Sequence, residues 1–150
     1  MAKKQPINIL LAENDAAHVE IVRRMLKDFP VANQFFLVKD GQEALDFLFR
    51  QGACADPETS PRPDLILLDL QLPKVDGLGV LRRIKKDDSI KRIPVVVLTT
   101  ADDNSDIDAA YVQGTGSYLV KPANFEKFDK LLDAVCSYWL TWNRFPGHDG

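Results

Sequence analysis

Cysteine is scarce. The chain has two, Cys54 and Cys136, with no CxxC pair and no histidine at ligand spacing. That excludes a disulfide framework and a zinc site. An excess of one charge is missing too. Nineteen Lys plus Arg face 22 Asp plus Glu, a net of −3, so no strong field favours nucleic acid or an anionic membrane. Long apolar runs are absent. Val95 to Leu98 is typical, of strand length and far short of the roughly 18 residues of a membrane span. The opening Met1-Ala2-Lys3-Lys4 leads into no apolar stretch of the signal-peptide kind. No internal repeat or linker is visible. What remains is a chain of 150 residues, 45% apolar and 27% charged, the size and mixture of one domain with a full core. The expectation is a single cytoplasmic domain over 1–150 that engages neither nucleic acid nor membrane.

Apolar periodicity alternates along the chain. Ile7 to Ala12 reads as a buried strand. Asp15 then caps a helix carrying Val19, Val22, Leu26 and Phe29, which Pro30 ends. Gln34 to Val38 is a second strand, and Ala44, Leu45, Leu48 and Phe49 mark a second helix up to Gly52. Residues 52–63 hold three prolines and several turn formers, so they read as a surface loop. Leu65 to Leu70, interrupted by Asp69, is the third strand, and Leu78, Leu81 and Ile84 mark the third helix. Val95 to Leu98 is the fourth strand and Asp103 to Gln113 a weaker helix. Ser117 to Val120 is the fifth strand. Asn124 caps a last helix with Phe125, Phe128, Leu131, Leu132 and Val135 inward. Strands alternating with helices specify an α/β fold with a parallel sheet covered on both faces. For five such units the reading is a flavodoxin-like, doubly wound sheet of order 2-1-3-4-5.

In that order the ligand crevice lies at the carboxyl ends of the strands. Strand one ends at Glu13-Asn14, strand three at Asp69, strand four at Thr99-Thr100 and strand five at Lys121. Two neighbouring carboxylates repel unless a cation joins them. Oxygen ligands with water suit Mg²⁺. A lysine point charge and a threonine hydroxyl suit phosphoryl oxygens. A carboxylate can itself accept a phosphoryl group. The constellation reads as metal-assisted phosphoryl transfer to an aspartate.

From residue 7 to about 138 the sequence resembles a two-component response-regulator receiver domain. The marks are Leu68-Asp69 with Pro73 and Asp76-Gly77 downstream, Val97-Leu98-Thr99-Thr100, and Tyr118-Leu119-Val120-Lys121-Pro122. Arg62-Pro63-Asp64, Arg92-Ile93-Pro94, Tyr138-Trp139 and Asn143-Arg144-Phe145-Pro146 resemble the single-domain subgroup that accompanies bacterial phytochrome kinases. The resemblance implies the CheY-like version of the fold, with Asp69 as phosphoacceptor for a sensor histidine kinase. It implies Mg²⁺ at Glu13, Asn14, Asp69 and the Gln71 carbonyl. Thr99, Thr100 and Lys121 would face the phosphoryl group, Tyr118 would be a switching aromatic that turns inward on activation, and Lys121-Pro122 would make a cis bend. Catalysis would be confined to the protein's own phosphorylation and autodephosphorylation.

One departure stands out. The family keeps two adjacent acids after strand one, and here the second is Asn14. An amide oxygen can ligate but brings no charge, and one charge pair at contact is worth roughly a few kcal/mol at an effective dielectric near 20. Weakened Mg²⁺ binding is therefore expected. With no room for an output domain after Gly150, the output is expected to be a binding event. Tyr138, Trp139, Trp142 and Phe145 extend the last apolar spacing and form a candidate homodimer surface, with 139–150 as an arm. His18 and His148 lie far apart, and solvated roles are expected for both. The alternative reading is a degenerate receiver, a binding module that needs no phosphate. A dehalogenase-like phosphatase would need an acid where Gln71 stands, a P-loop enzyme would need GxxxxGK[ST], and a flavodoxin would not place Glu13-Asn14-Asp15 against a phosphate.

Overall fold

The computed structural model describes residues 5–146. Met1–Lys4, His148 and Gly150 lie outside the described residues. Strands β1 (Ile7–Ala12), β2 (Asn33–Val38), β3 (Leu65–Leu68), β4 (Val95–Thr99) and β5 (Ser117–Val120) form one parallel sheet in the order β2-β1-β3-β4-β5. Helices α1 (Ala16–Asp28), α2 (Gly41–Phe49), α3 (Gly77–Lys86), α4 (Asn104–Val112) and α5 (Phe125–Cys136) connect and follow them. A short 3₁₀ turn at Gly52–Cys54 opens the expected loop, and a π-helical turn, Ser137–Trp142, extends α5. Fold class and strand order are those read from the sequence. Among the described residues no helix is long and apolar enough to cross a membrane.

Side chains alternate across each strand, and that alternation builds two cores. Leu10, Ala12, Ile66, Leu68, Val95 and Val97 face α2, α3 and Ala110 of α4. Ile9, Leu11, Leu65, Leu67, Val96 and Leu98 face α1 and α5. β1, β3 and β4 are paired on both sides, which explains why their sequences run apolar without a break.

Boundaries shift by one or two residues from the sequence reading, among them β2, which starts at Asn33, and α4, which spans Asn104–Val112. β3 stops at Leu68, because the chain turns there to let α3 approach. A Cβ on Gly77 would stand 2.3 Å from the Asp69 carbonyl oxygen, so only glycine lets the first turn of α3 pack this close. Asp69 thus lies just past the strand rather than within it. β4 runs one residue further than expected, through Thr99. Phe125, expected inward, is 60% exposed. It occupies the first helical position after the Asn124 cap, whose side chain accepts from Lys127 N–H, and the inward face begins at Phe128. The peptide bonds of the described residues are all trans, Lys121–Pro122 included, so the expected cis bend is absent. Trans is the lower-energy isomer of an X–Pro bond by about 0.5–1 kcal/mol.

Candidate functional site

Backbone pairing carries the polar residues to one place. Ala12 is in register with Leu68, and Leu68 with Val97. The ladder continues one step past the strands: Glu13 N–H donates to Val38, Asp69 N–H to Ala12, and Lys121 N–H to Thr99. Glu13, Asp69, Thr99 and Lys121 therefore converge, and all four are buried.

Asp69 is gripped through both oxygens. Oδ1 accepts from Thr99 Oγ1 at 2.8 Å and from Gln71 N–H at 3.0 Å. Oδ2 accepts from Lys121 Nζ at 2.9 Å. Lys121 also donates to Glu13 Oε1, bridging the two carboxylates. Glu13 Oε2 accepts from the backbone N–H groups of Asn14, at 3.0 Å, and Asp15, at 3.2 Å. The lysine thus supplies the cation that two adjoining acids need. Burial pushes the Glu13 carboxyl up to about 7, against the pull of Lys121. Burial acts on Asp69 in the same sense, but there the Gln71 N–H, the contact with Glu13 and the Lys121 charge together outweigh it. Asp69 stays below the ordinary range and ionised. One pocket therefore holds one firmly anionic oxygen pair beside one easily protonated carboxyl.

The remaining predicted residues sit around this centre. Asn14 is exposed, and its backbone rather than its side chain meets Glu13. Asp15 caps α1, accepting from Ala17 and His18 N–H groups. Thr100 points away from Asp69 and donates to Gln71 Oε1 at 3.0 Å, across the rim. Tyr118 is already tied down, its hydroxyl donating to the Ala101 carbonyl at 2.7 Å. Burial, then Asp106, Asp103, Asp102 and Asp69, push that hydroxyl up to about 12, so it remains a donor at neutral pH.

The tail aromatics do not share a face. Trp139 and Phe145 pack on the α1/α5 core, whereas Tyr138 and Trp142 are exposed. A candidate dimer surface retains the latter pair.

The sequence reading missed His18. Its Nδ1 lies 2.9 Å from Lys121 Nζ and 3.7 Å from Glu13 Oε1, so it is no solvated bystander. The available signal was positional. His18 follows Asp15 by three residues, on the helix that starts at the pocket mouth.

The donor set fits a hard divalent cation. Glu13 and Asp69 give buried carboxylate oxygens, and Asn14 and Gln71 follow them by one and two residues in the chain. Mg²⁺ is commonly held by one or two carboxylates with water filling the remaining positions.

Comparison with known proteins agrees with this geometry. The response regulator receiver domain model matches residues 9–133. The chain is 42% identical to response regulator Rcp1 of Synechocystis sp. over 141 residues, 94% of each chain. It is 39% identical over 145 residues to the probable methanogenesis regulatory protein FilR2 of Methanothrix harundinacea, covering 96% of this chain and 90% of that one. The Mn²⁺-bound structure of Rcp1 superposes with a TM-score of 0.90, at 41% identity over 95% of this chain and all of that one, 100%. The phosphorylated cyanobacterial phytochrome response regulator RcpA gives the same TM-score, 0.90, at 36% identity, covering 95% of this chain and 100% of that one. With its crevice, its strand order and these relatives in agreement, the chain belongs to the response regulator receiver domains of two-component systems.

Proposed function

We propose that this receiver takes a phosphoryl group on Asp69 from a sensor histidine kinase of the phytochrome type and relays the change through Thr99 and Tyr118 to the α4–β5 surface. One observation carries the reading: a buried, ionised Asp69 whose two oxygens are oriented by Thr99 on one side and Lys121 on the other. An Asp69 oxygen forms a bond to phosphorus while the donor's P–N bond breaks, and the departing imidazole nitrogen keeps the electron pair and takes a proton. Lys121 and Thr99 then face the phosphoryl oxygens as donors. Glu13, Asp69, the Gln71 carbonyl and the Asn14 amide would hold Mg²⁺, which would supply positive charge beside those oxygens. Water then cleaves the acyl phosphate, releasing inorganic phosphate and restoring the Asp69 carboxylate, and the protein turns over no other substrate. The location follows from the donor, since phosphohistidine made from ATP is a cytoplasmic species.

Phytochrome association is supported by the likeness to RcpA. Homodimerisation through Tyr138 and Trp142 is supported by their exposure, 55% and 77%, on a segment that continues α5. Sedimentation at micromolar concentration, repeated with Trp142→Ala, tests it: a dimer lost in the variant is expected. Asn14 weakens Mg²⁺ binding, so Asn14→Asp is expected to tighten it about tenfold in a Mg²⁺ titration.

A second reading, a binding module that needs no phosphate, is favoured by Asn14, which stands where the family keeps its second acid after β1. Intact mass after incubation with acetyl phosphate and Mg²⁺ separates the two. A gain of one phosphoryl group, absent in Asp69→Asn, is expected. No gain in the unaltered protein supports the binding module.

A further inference from the structure

The Lys121 ammonium has three N–H bonds, and the pocket offers three acceptors. They are Glu13 Oε1, Asp69 Oδ2 at 2.9 Å and His18 Nδ1 at 2.9 Å. The lysine side chain is only 1% exposed, so an N–H left without a partner would have little water to turn to.

The three acceptors differ in what the reaction does to them. Asp69 is converted to an acyl phosphate. Glu13 would be a ligand of the cation. His18 undergoes neither change. Its ring is also held independently of the ammonium. It packs on Phe128 of α5, centroids 5.4 Å apart and planes tilted by 44°. Its backbone N–H donates to the Asp15 cap at 3.2 Å, which fixes the start of α1. For Nδ1 to accept from a lysine, the ring must be neutral with its proton on Nε2. Burial and then the Lys121 charge hold the imidazole below its ordinary pKa, against the pull of Asp15 and Asp69, which agrees with that state.

We propose that His18 is a positioning residue for phosphoryl transfer. Through Nδ1 it holds the Lys121 ammonium against the Asp69 carboxylate, so that the cation is already placed when the phosphoryl oxygens arrive. The proposal rests on the reading of Asp69 as acceptor and deepens it. Phosphorus–oxygen bond formation at Asp69 is unchanged by it; His18 neither gives nor takes a proton, and it touches no reacting atom.

Two substitutions separate holding from packing. His18→Leu keeps an apolar side chain against Phe128 and removes the acceptor. His18→Asn puts an amide oxygen near the place of Nδ1 and removes the ring. With acetyl phosphate at fixed Mg²⁺, His18→Leu is expected to be phosphorylated about tenfold more slowly than the unaltered protein, the effect of one hydrogen bond to a charged group. His18→Asn is expected to recover most of the rate. In a Lys121→Met background His18→Leu is expected to add nothing. On ¹⁵N-labelled protein, long-range imidazole correlations are expected to show the Nε2–H tautomer, with the Nδ1 resonance moving in Lys121→Met. Equal rates for His18→Leu and the unaltered protein, equal slowing by Leu and Asn, or an Nδ1–H tautomer would each overturn the proposal while leaving Asp69 as acceptor. Failure of the unaltered protein to gain any phosphoryl group would overturn both readings together.

Discussion

The acceptor pocket and helix α4 meet at the carboxyl end of β4, and they are held in opposite ways. In the pocket, Asp69, Glu13 and Lys121 are buried and each makes three hydrogen bonds, which together tie the ends of β1, β3, β4 and β5. In α4, Ala110 alone is buried, and the Asp103 side chain caps no helix N–H, meeting instead the Ser105 hydroxyl at 3.3 Å. Tyr111 and Val112 stand in solvent at 52% and 83% exposure. Its neighbour α3 is anchored far better, with Val80, Leu81 and Ile84 buried and the Asp76 carboxylate accepting from Gly79 N–H at 2.8 Å. A stiff site beside a weakly held helix is a device for turning chemistry into movement. A charge added in the pocket cannot relax there, whereas α4 can shift at small cost because few contacts oppose it.

The comparison can be broken at either end. A large effect, of the same order as truncating a core side chain, is expected from Lys121→Met, which leaves two buried carboxyls without their shared cation. A loss of about 3 kcal/mol in urea unfolding at pH 7 is expected, low in the range for an orphaned buried charge because Glu13 can protonate. Next comes packing. Leu81→Ala in α3 is expected to cost about 2–5 kcal/mol, and Val112→Ala in α4 less than about 0.5 kcal/mol. Amide exchange gives the same ranking without mutation: α4 is expected to exchange well before α3, and equal protection would end the contrast.

A smaller effect concerns protons. Glu13 binds its proton more tightly when folded, at about 7 against an ordinary 4.5. Between those values the folded state carries the extra proton, so this group's stabilisation is complete below pH 4.5 and is lost as pH rises through 7. Asp69 acts in the opposite sense, its contribution present above its ordinary 3.8 and lost as pH falls. Glu13→Gln is expected to remove a downward slope in the urea midpoint between pH 5 and 7, a slope of no more than about 1.4 kcal/mol per pH unit. The smallest contrast is in capping. Asp76→Ala is expected to cost about 1 kcal/mol, and Asp103→Ala to leave the thermal midpoint unmoved.

Much of this was legible before the structure, for identifiable reasons. Unbroken apolar strands and helical spacing fix the parallel sheet. Once its order is known, the residue after each strand must reach the crevice, which located Glu13, Asp69, Thr99 and Lys121. What the sequence hid depends on the third dimension. Phe125 has the composition of a core residue, but the start of α5 faces outward. His18 is ordinary in sequence and reaches the pocket only because α1 and α5 bring it between Lys121 and Phe128. Trp139 and Trp142 look alike along the chain, and only the backbone that carries them decides which is covered.

That backbone is the π-helical turn from Ser137 to Trp142, closed by Asn143 N–H donating to the Tyr138 carbonyl at 2.7 Å. Such a turn holds one residue more than an α-helical one. Rewinding the same residues as an α-helix would rotate everything downstream by about 100°. Trp142 would leave its outward position without any change of amino-acid type. A change of winding at this one point would redraw the exposed aromatic surface while leaving the Asp69 pocket untouched.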